Sequence, residues 1–240
     1  MAHRLLIGLS SILFLAASAT GDALNILESA RQEAEETTVT TEEVNDDRGF
    51  YVRTEIGANI MQNLDRKNAS DSYTLNAGID FGASIGYQIT EMLGLEVQSG
   101  IAWNSFKTWN EGGRSNNASG SLVQVPIVAN VVVTLPLSKG DYEPLFGRDA
   151  DLMFIFGGGG NYIDGDMSSS GVQQFNIKDW SFRYQVGTVL QAYLAPKTKF
   201  GVYFRFSGTG DLAVENPAGA AFDISPALNY AVGINLSINF

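Results

Sequence analysis

The chain of 240 residues contains no cysteine, and its one histidine is His3. The absence of cysteine excludes disulfides, thiol nucleophiles and lipid attachment to a cysteine. Zinc sites and most general bases depend on histidine or cysteine, so residues 4–240 lack the usual groups for both. We therefore expect no catalytic residues, no metal site and no cofactor.

Long apolar runs are also scarce, and the clearest one lies at the start of the chain. Residues 5–15 are apolar but fall short of the ~20 residues that a membrane-spanning helix needs. The basic pair His3-Arg4 precedes this run, and Ala17-Ser18-Ala19 follows it with the small-x-small form of a signal-peptidase site. The pattern predicts a signal peptide over residues 1–19, cleaved after Ala19. A retained helical anchor is the alternative.

Negative charge is concentrated in one segment rather than spread along the chain. Residues 22–47 hold nine acids against the single base Arg31, and thus most of the formal net charge of −11. We interpret residues 20–48 as an acidic periplasmic tail, with a short helix over 23–36 and a polar linker over 37–47. The tail is either a spacer or a docking segment. Basic patches that would indicate a nucleic-acid partner are missing.

Alternation of apolar and polar residues dominates the chain from Gly49 onward. Alternation with a period of two is typical of β-strands, whose side chains point to opposite faces in turn. Short connections at 90–92 and 195–198 alternate with long ones, which we predict to be loops, at 62–73, 107–120, 163–179 and 209–226. The connection at 136–150 is long where this scheme requires a short one. The predicted strands cover residues 50–61, 74–89, 93–106, 121–135, 151–162, 180–194, 199–208 and 230–240.

The last predicted strand ends on an aromatic residue. Tyr230, Leu236, Ile238 and Phe240 share its apolar face, and Gly233 lies on the small, uncharged face. This pattern resembles the closing strand of outer-membrane β-barrels, the segment that the barrel-assembly machinery recognises. These residues are therefore our candidate assembly signal.

Taken with the strand pattern and the signal peptide, this ending resembles the small outer-membrane β-barrel superfamily, which includes the OmpA transmembrane domain, OmpX and the opacity proteins. The strand openings at residues 49–52 and 78–82 are typical of it. The resemblance implies an all-β, eight-stranded antiparallel up-and-down transmembrane β-barrel over residues 49–240. It also implies a monomer embedded in outer-membrane lipid of a Gram-negative bacterium. Ile238 departs from the family, where an aromatic residue is common, and no peptidoglycan-binding domain follows Phe240.

A soluble barrel with its apolar face inward would show the same alternation. Two features favour the membrane barrel. The polar face is mostly small or uncharged, as a crowded lumen requires, and the aromatic residues of the apolar face cluster near the strand ends.

Six charged residues share the face that we predict to line the lumen. An eight-stranded barrel has an interior just wide enough for side chains, so buried charges there must be paired. We predict an ion-pair network, or alternatively the gate of a narrow pore. The six residues are Arg53, Glu55, Asp80, Glu96, Arg183 and Arg205.

Other short motifs do not indicate chemistry. Asp164-Gly165-Asp166 lacks the glycine and glutamate of a calcium loop and is interpreted as part of a turn, and residues 157–160 lack the Lys-Ser/Thr of a phosphate loop. The sequence thus favours a non-enzymatic outer-membrane barrel with a structural or surface-interaction role, through loops that meet an extracellular ligand. The alternatives are a narrow, low-conductance pore and, less favoured, a lipid-modifying barrel enzyme.

Overall fold

The computed structural model describes residues 49–137, 150–219 and 221–240, all within a unit that spans Asn45–Phe240. The predicted signal peptide, the acidic tail with its helix, and most of the connection at 136–150 lie outside these residues. Over the described residues, we find no helix that could cross a membrane.

The described residues fold almost entirely into antiparallel strands. The strands are β1 (Gly49–Met61), β2 (Leu64–Asp65), β3 (Ser72–Leu75), β4 (Gly78–Gln88), β5 (Leu93–Glu111), β6 (Arg114–Pro136), β7 (Ala150–Ser169), β8 (Val172–Ala195), β9 (Thr198–Thr209), β10 (Leu212–Glu215), β11 (Ala221–Ile224) and β12 (Leu228–Asn239).

The long strands form a closed β-barrel. Each pairs with two neighbours, in the ring order β1, β4, β5, β6, β7, β8, β9, β12 and back to β1. The last strand closes the ring, because β12 pairs with β1 from Tyr51 opposite Asn239 to Met61 opposite Asn229. The terminal strand thus closes the ring, as its resemblance to a closing strand implies.

The short strands continue the same ring at one end of the barrel. β2 pairs with β3, β3 with β5, and β10 with both β8 and β11. A β-bridge between Arg66 and Ile224 joins the β2 side to β11. We call this end the collar. It comprises β2, β3, β10 and β11 with the adjoining ends of β5 to β8, and the opposite end, with the connections β4–β5 and β8–β9, is the turn end.

The collar corrects our prediction of long loops. Residues 108–111 and 114–117 pair across a tight turn at Gly112-Gly113, and 163–169 pair with 172–179 across Ser170-Gly171. Parts of 62–73 and 209–226 are also strands. The polar residues that indicated loops lie on the outer face of these strands, while inward residues such as Ile163 and Ile177 are buried.

The long strands exchange their apolar and polar faces where they enter the collar. On the barrel side of this point, β8 has Trp180 on its outward face and Ser181 on its inward face. On the collar side, it has Lys178 on its outward face and Ile177 on its inward face. β5 changes between Asn104 and Phe106 on its inward face. The corresponding inward change is from Gln124 to Leu122 on β6 and from Asn161 to Ile163 on β7.

Candidate functional site

The interior of the barrel below the collar, which we call the polar lumen, holds a buried ion-pair network. Arg53 lies on β1 between two carboxylates and is fully buried. Its Nη2 donates to Glu96 Oε1 at 2.8 Å, and its Nε lies 3.2 Å from Glu55 Oε1. Tyr51 donates its hydroxyl to Glu96 Oε2 at 3.0 Å. Strand alternation places all of these side chains on the inward face.

A second arginine links the same network to the other side of the lumen. Arg205 on β9 donates to Glu55 Oε2 at 2.6 Å and also binds Asp80 Oδ2 on β4. Tyr203 donates to the same Asp80 oxygen at 2.9 Å. Gly57 makes room for this tyrosine, since a Cβ there would lie 2.7 Å from the Tyr203 hydroxyl. The network therefore ties β1, β4, β5 and β9 together.

Side-chain amides extend the network across the lumen. Gln185 on β8 donates to Gln98 Oε1 on β5 at 2.6 Å and contacts Asn130 Oδ1 at 2.9 Å. Gln98 in turn donates to Glu55 Oε2, and Asn130 donates to Glu96 Oε1, both at 2.9 Å. Because β5 and β8 are not neighbours in the ring, these bonds cross the interior.

Arg183 lies apart from the carboxylates. Its guanidinium donates to Gln124 Oε1 at 3.3 Å and to Ser207 Oγ at 2.7 Å, and across the described ranges it forms no ion pair. Gln124 also accepts from Asn161 at 3.1 Å and contacts the sulfur of Met61 at 3.4 Å. This layer is the boundary between the polar lumen and the collar. The structure thus brings five of the six predicted charged residues together and separates the sixth.

The space left inside the polar lumen is small. The cavity bordered by Glu55, Gln98, Gln185 and Arg205 measures about 10 Å³. A cavity of about 30 Å³ lies at the turn end, beside Tyr51 and Lys199. Volumes of this order hold about one water molecule each. Neither cavity has room for a solute much larger than water.

Apolar and charged contacts close the turn end of the lumen. Lys199 Nζ lies 2.8 Å from Asp151 Oδ2, and both side chains are buried. A small apolar cluster that includes Val132, Met153 and Val189 fills the adjoining interior. Val132 lies on the inward face of β6, and its role here is packing.

The collar contains a hydrophobic core instead of a polar lumen. Phe175 lies at its centre, with its ring 4.9 Å from that of Tyr73 and 5.7 Å from that of Phe106. Burial raises the pKa of Tyr73 to about 12, with a further contribution from the nearby charge of Asp71. The core residues are Met61, Leu64, Tyr73, Leu75, Phe106, Leu122, Ile163, Met167, Phe175, Ile177, Leu212, Val214, Ile224 and Ala227.

Asp164 and Asp166 lie in strand β7, on the polar outer face of the collar, and the predicted turn at this point is wrong. Over residues 49–137, 150–219 and 221–240, no three His, Cys, Asp or Glu side chains are grouped so that they could hold a metal ion.

Comparison with known proteins gives similarity in structure but not in sequence. No protein-family model matches the chain, and no curated protein sequence is significantly similar to it. The crystal structure of the outer-membrane protein OprG from Pseudomonas aeruginosa superposes with a TM-score of 0.50 at 12% identity, covering 80% of this chain and 97% of OprG. The chain has the fold of the small outer-membrane β-barrel proteins.

Two further barrels are similar at lower scores. Neisserial surface protein A covers 80% of this chain and 97% of its own, with a TM-score of 0.43 and 12% identity. The outer-membrane protease OmpT from Escherichia coli covers 85% of this chain and 100% of its own, with a TM-score of 0.46 and 10% identity. At these identities the similarity concerns the fold alone.

In this outer-membrane barrel fold, the candidate assembly signal lies along β12 and at the chain end. Leu236 and Ile238 face outward, and Phe240 is 71% exposed. Gly233 faces Gly57 on the inner side, and the Tyr230 ring lies 5.4 Å from that of Phe206. Recognition of these residues by the assembly machinery stays a prediction.

Several residues of the lumen escaped the sequence prediction. Tyr51, Tyr203, Gln98, Gln185 and Gln124 complete the network, yet none carries a charge at neutral pH. Their signal was present in the sequence, because each lies on the inward face of its own strand. A search of that face for all hydrogen-bonding side chains would have found them.

Proposed function

We propose that residues 49–240 form an eight-stranded transmembrane barrel in the outer membrane of a Gram-negative bacterium. The outward face below the collar supports this proposal, because large apolar side chains stand exposed all round it. Phe50, Ile85 and Phe182 are 61, 64 and 64% exposed. Contiguous apolar surface of this extent needs an apolar environment, which we take to be lipid.

The two ends of the barrel suggest its orientation. Short connections of bacterial barrels face the periplasm and elaborated ones face outward, so the collar would lie outside the cell. Aromatic pairs occur towards both ends of the apolar band, Phe50 with Tyr87 at the turn end and Tyr162 with Trp180 below the collar. Aromatic side chains at these levels suit the two membrane interfaces.

We infer that the protein is a closed barrel with a structural or surface-interaction role. The observation that carries this inference is the set of bonds that cross the lumen, above all Arg205 to Asp80 and Gln185 to Gln98. A path for solutes would require these buried pairs to separate, at a cost of several kcal/mol each. The apolar core of the collar is a second barrier in series with the first.

The same contacts bear on the alternatives from the sequence. A narrow pore would need both barriers to open, and we do not advance it as a second function. A lipid-modifying enzyme would need a free acid or base, whereas Glu55, Asp80 and Glu96 are each engaged by an arginine. We propose a non-enzymatic monomer that contacts membrane lipid, the assembly machinery and, through its collar, an extracellular ligand.

Two measurements on the refolded protein test the proposal separately. Migration on SDS gels should differ between unboiled and boiled samples, as it does for detergent-resistant barrels, and unchanged migration would contradict the membrane barrel. Recordings in planar lipid bilayers should show no single-channel steps. Regular steps from a heat-modifiable sample would leave the barrel standing and overturn its closure.

A further inference from the structure

The collar has two kinds of wall. Its back wall consists of the ends of β5 to β8, which run into the barrel as uninterrupted strands. Its front wall consists of two separate hairpins, β2–β3 and β10–β11. Each front strand is separated from its barrel strand by residues outside the ladder, at 62–63, 76–77, 210–211 and 225–227.

The two hairpins of the front wall are joined to each other by few bonds. The β-bridge between Arg66 and Ile224 is flanked by two backbone hydrogen bonds, Lys67 N to Asp223 O at 2.9 Å and Ser225 N to Asp65 O at 2.8 Å. On the other side, the ladder between β10 and β8 contains the single pair Glu215 and Asn176. The back wall is paired more fully. β7 and β8 pair from Ala150 opposite Ala192 to Ser169 opposite Val172 with one shift of register beside Met167, and β5 and β6 shift register once in the collar, between Ser105 and Thr108.

The contacts that hold the hairpins together on the outside are exposed and partly ionic. Lys67 Nζ lies 2.5 Å from Asp211 Oδ2, with 35 and 50% of the two side chains exposed. Arg66 covers the ring of Phe222 at 4.4 Å. Exposed ion pairs contribute ~0–1 kcal/mol and weaken as salt rises. These contacts can act as a latch that breaks without disturbing the barrel.

We propose that the front wall is a two-flap lid, latched by Lys67 and Asp211, that opens while the back wall and the polar lumen keep their structure. Opening parts β2 from β11 and exposes apolar side chains of the collar core, including Leu64, Val214 and Ile224. The part of the interior so exposed ends at the layer of Gln124 and Arg183. The lid therefore gives access to the collar interior and not passage through the barrel.

Because the chain contains no cysteine, single introduced thiols can report the opening. Val214→Cys places a thiol in the collar core, where the valine is 1% exposed. Val132→Cys is the matched control, because Val132 is equally buried but lies below the ion-pair network. Both variants are reconstituted into lipid vesicles and their reaction with a membrane-impermeant maleimide is timed.

The latch is then broken by Asp211→Asn in each background. Labelling at residue 214 should accelerate about two- to fivefold, in line with the strength of an exposed ion pair, and labelling at residue 132 should not change. Raised salt should accelerate labelling at 214 in the parent and have little effect in the Asp211→Asn background. Leu212→Cys serves as a second reporter if Val214→Cys fails to fold.

Two results would overturn the lid. Equal labelling rates at 214 and 132 would mean that exposure comes from unfolding of the whole barrel. A rate at 214 that is indifferent to Asp211→Asn and to salt would mean that the latch does not hold the wall.

Discussion

The polar lumen and the collar share strands β5 to β8 yet have opposite interiors. Below the boundary, charged and amide side chains fill the inside and apolar side chains cover the outside. Above it, the inside is a hydrophobic core and the outside is polar. The comparison shows that which face of a strand is apolar depends on the part of the barrel in which the residues lie, and not on the strand itself.

The two interiors are also stabilised by different forces. The collar core gains from removing apolar surface from water, at ~25 cal/mol per Å². The lumen gains nothing comparable, since its outward apolar face stays in lipid if the proposed location is right. Its stability depends on keeping its buried charges and amides paired, so a single lost partner leaves others unpaired.

The largest effect should follow from breaking the lumenal network at Arg53. Replacement of Arg53 by Met leaves Glu55 and Glu96 without this partner, and we expect the free energy of unfolding to fall by about 3–5 kcal/mol. Urea unfolding of the refolded protein in vesicles, followed by tryptophan fluorescence, measures the change.

The double variant Arg53→Met/Glu96→Gln should lose less than the sum of its single variants. Lys67→Met, which breaks an exposed pair, should cost less than about 1 kcal/mol. Comparable losses in Arg53→Met and Lys67→Met would refute the contrast between buried and exposed charges.

A somewhat smaller loss should follow from a cavity in the collar. Leu122 is fully buried there, one inward position above Gln124. Leu122→Ala should lower the free energy of unfolding by about 2–5 kcal/mol, because it removes buried methyl groups and leaves a void. The same urea titration applies, with Val172→Ala at an exposed position as the control. A loss no greater than that of Val172→Ala would mean that the collar core does not stabilise the fold.

Among the buried residues, the smallest effect concerns pH and the collar alone. The pKa of Tyr73 rises to about 12 in the fold, whereas an exposed tyrosine ionises near its ordinary value of 10.0. The unfolded chain therefore loses this proton first, and stability falls as pH rises above about 10, by up to about 1.4 kcal/mol per pH unit until the raised pKa is reached. Tyr73→Phe should remove this part of the alkaline loss, and an identical pH profile in parent and variant would contradict it.

The sequence predicted the barrel below the collar well, because alternation there follows one rule along every strand. Alternation correctly predicted that Arg53, Asp80 and Arg205 face inward. The pattern of the terminal strand correctly predicted a strand that closes the barrel. The ion-pair partner of each charged residue could not be predicted from the sequence, because a bond such as Arg205 to Asp80 joins strands that are not adjacent in the ring. Such contacts depend on how far each strand is shifted along its neighbours around the ring. Alternation shows which face a residue lies on but carries no information on this shift.

The collar was missed for a different reason. Alternation continues through Ile163, Asp164 and Gly165, but the apolar residues now belong to the inward face. Because we expected apolar residues to face outward on every strand, we predicted this segment to be a polar loop. Testing each strand for a reversal of its faces would have revealed the collar from the sequence.

The reversal of faces also means that the inner and outer sides of a strand change character at the same level of the barrel. On β8 the outward change from Trp180 to Lys178 and the inward change from Ser181 to Ile177 occur at one height. The buried residues alone therefore mark where the lipid should end and the water begin. If the barrel is embedded as proposed, a shift of its depth by one pair of residues would place a charge in lipid on the outer face. The outer face therefore fixes the height at which the barrel can rest, and the interior changes from polar to apolar at that same height.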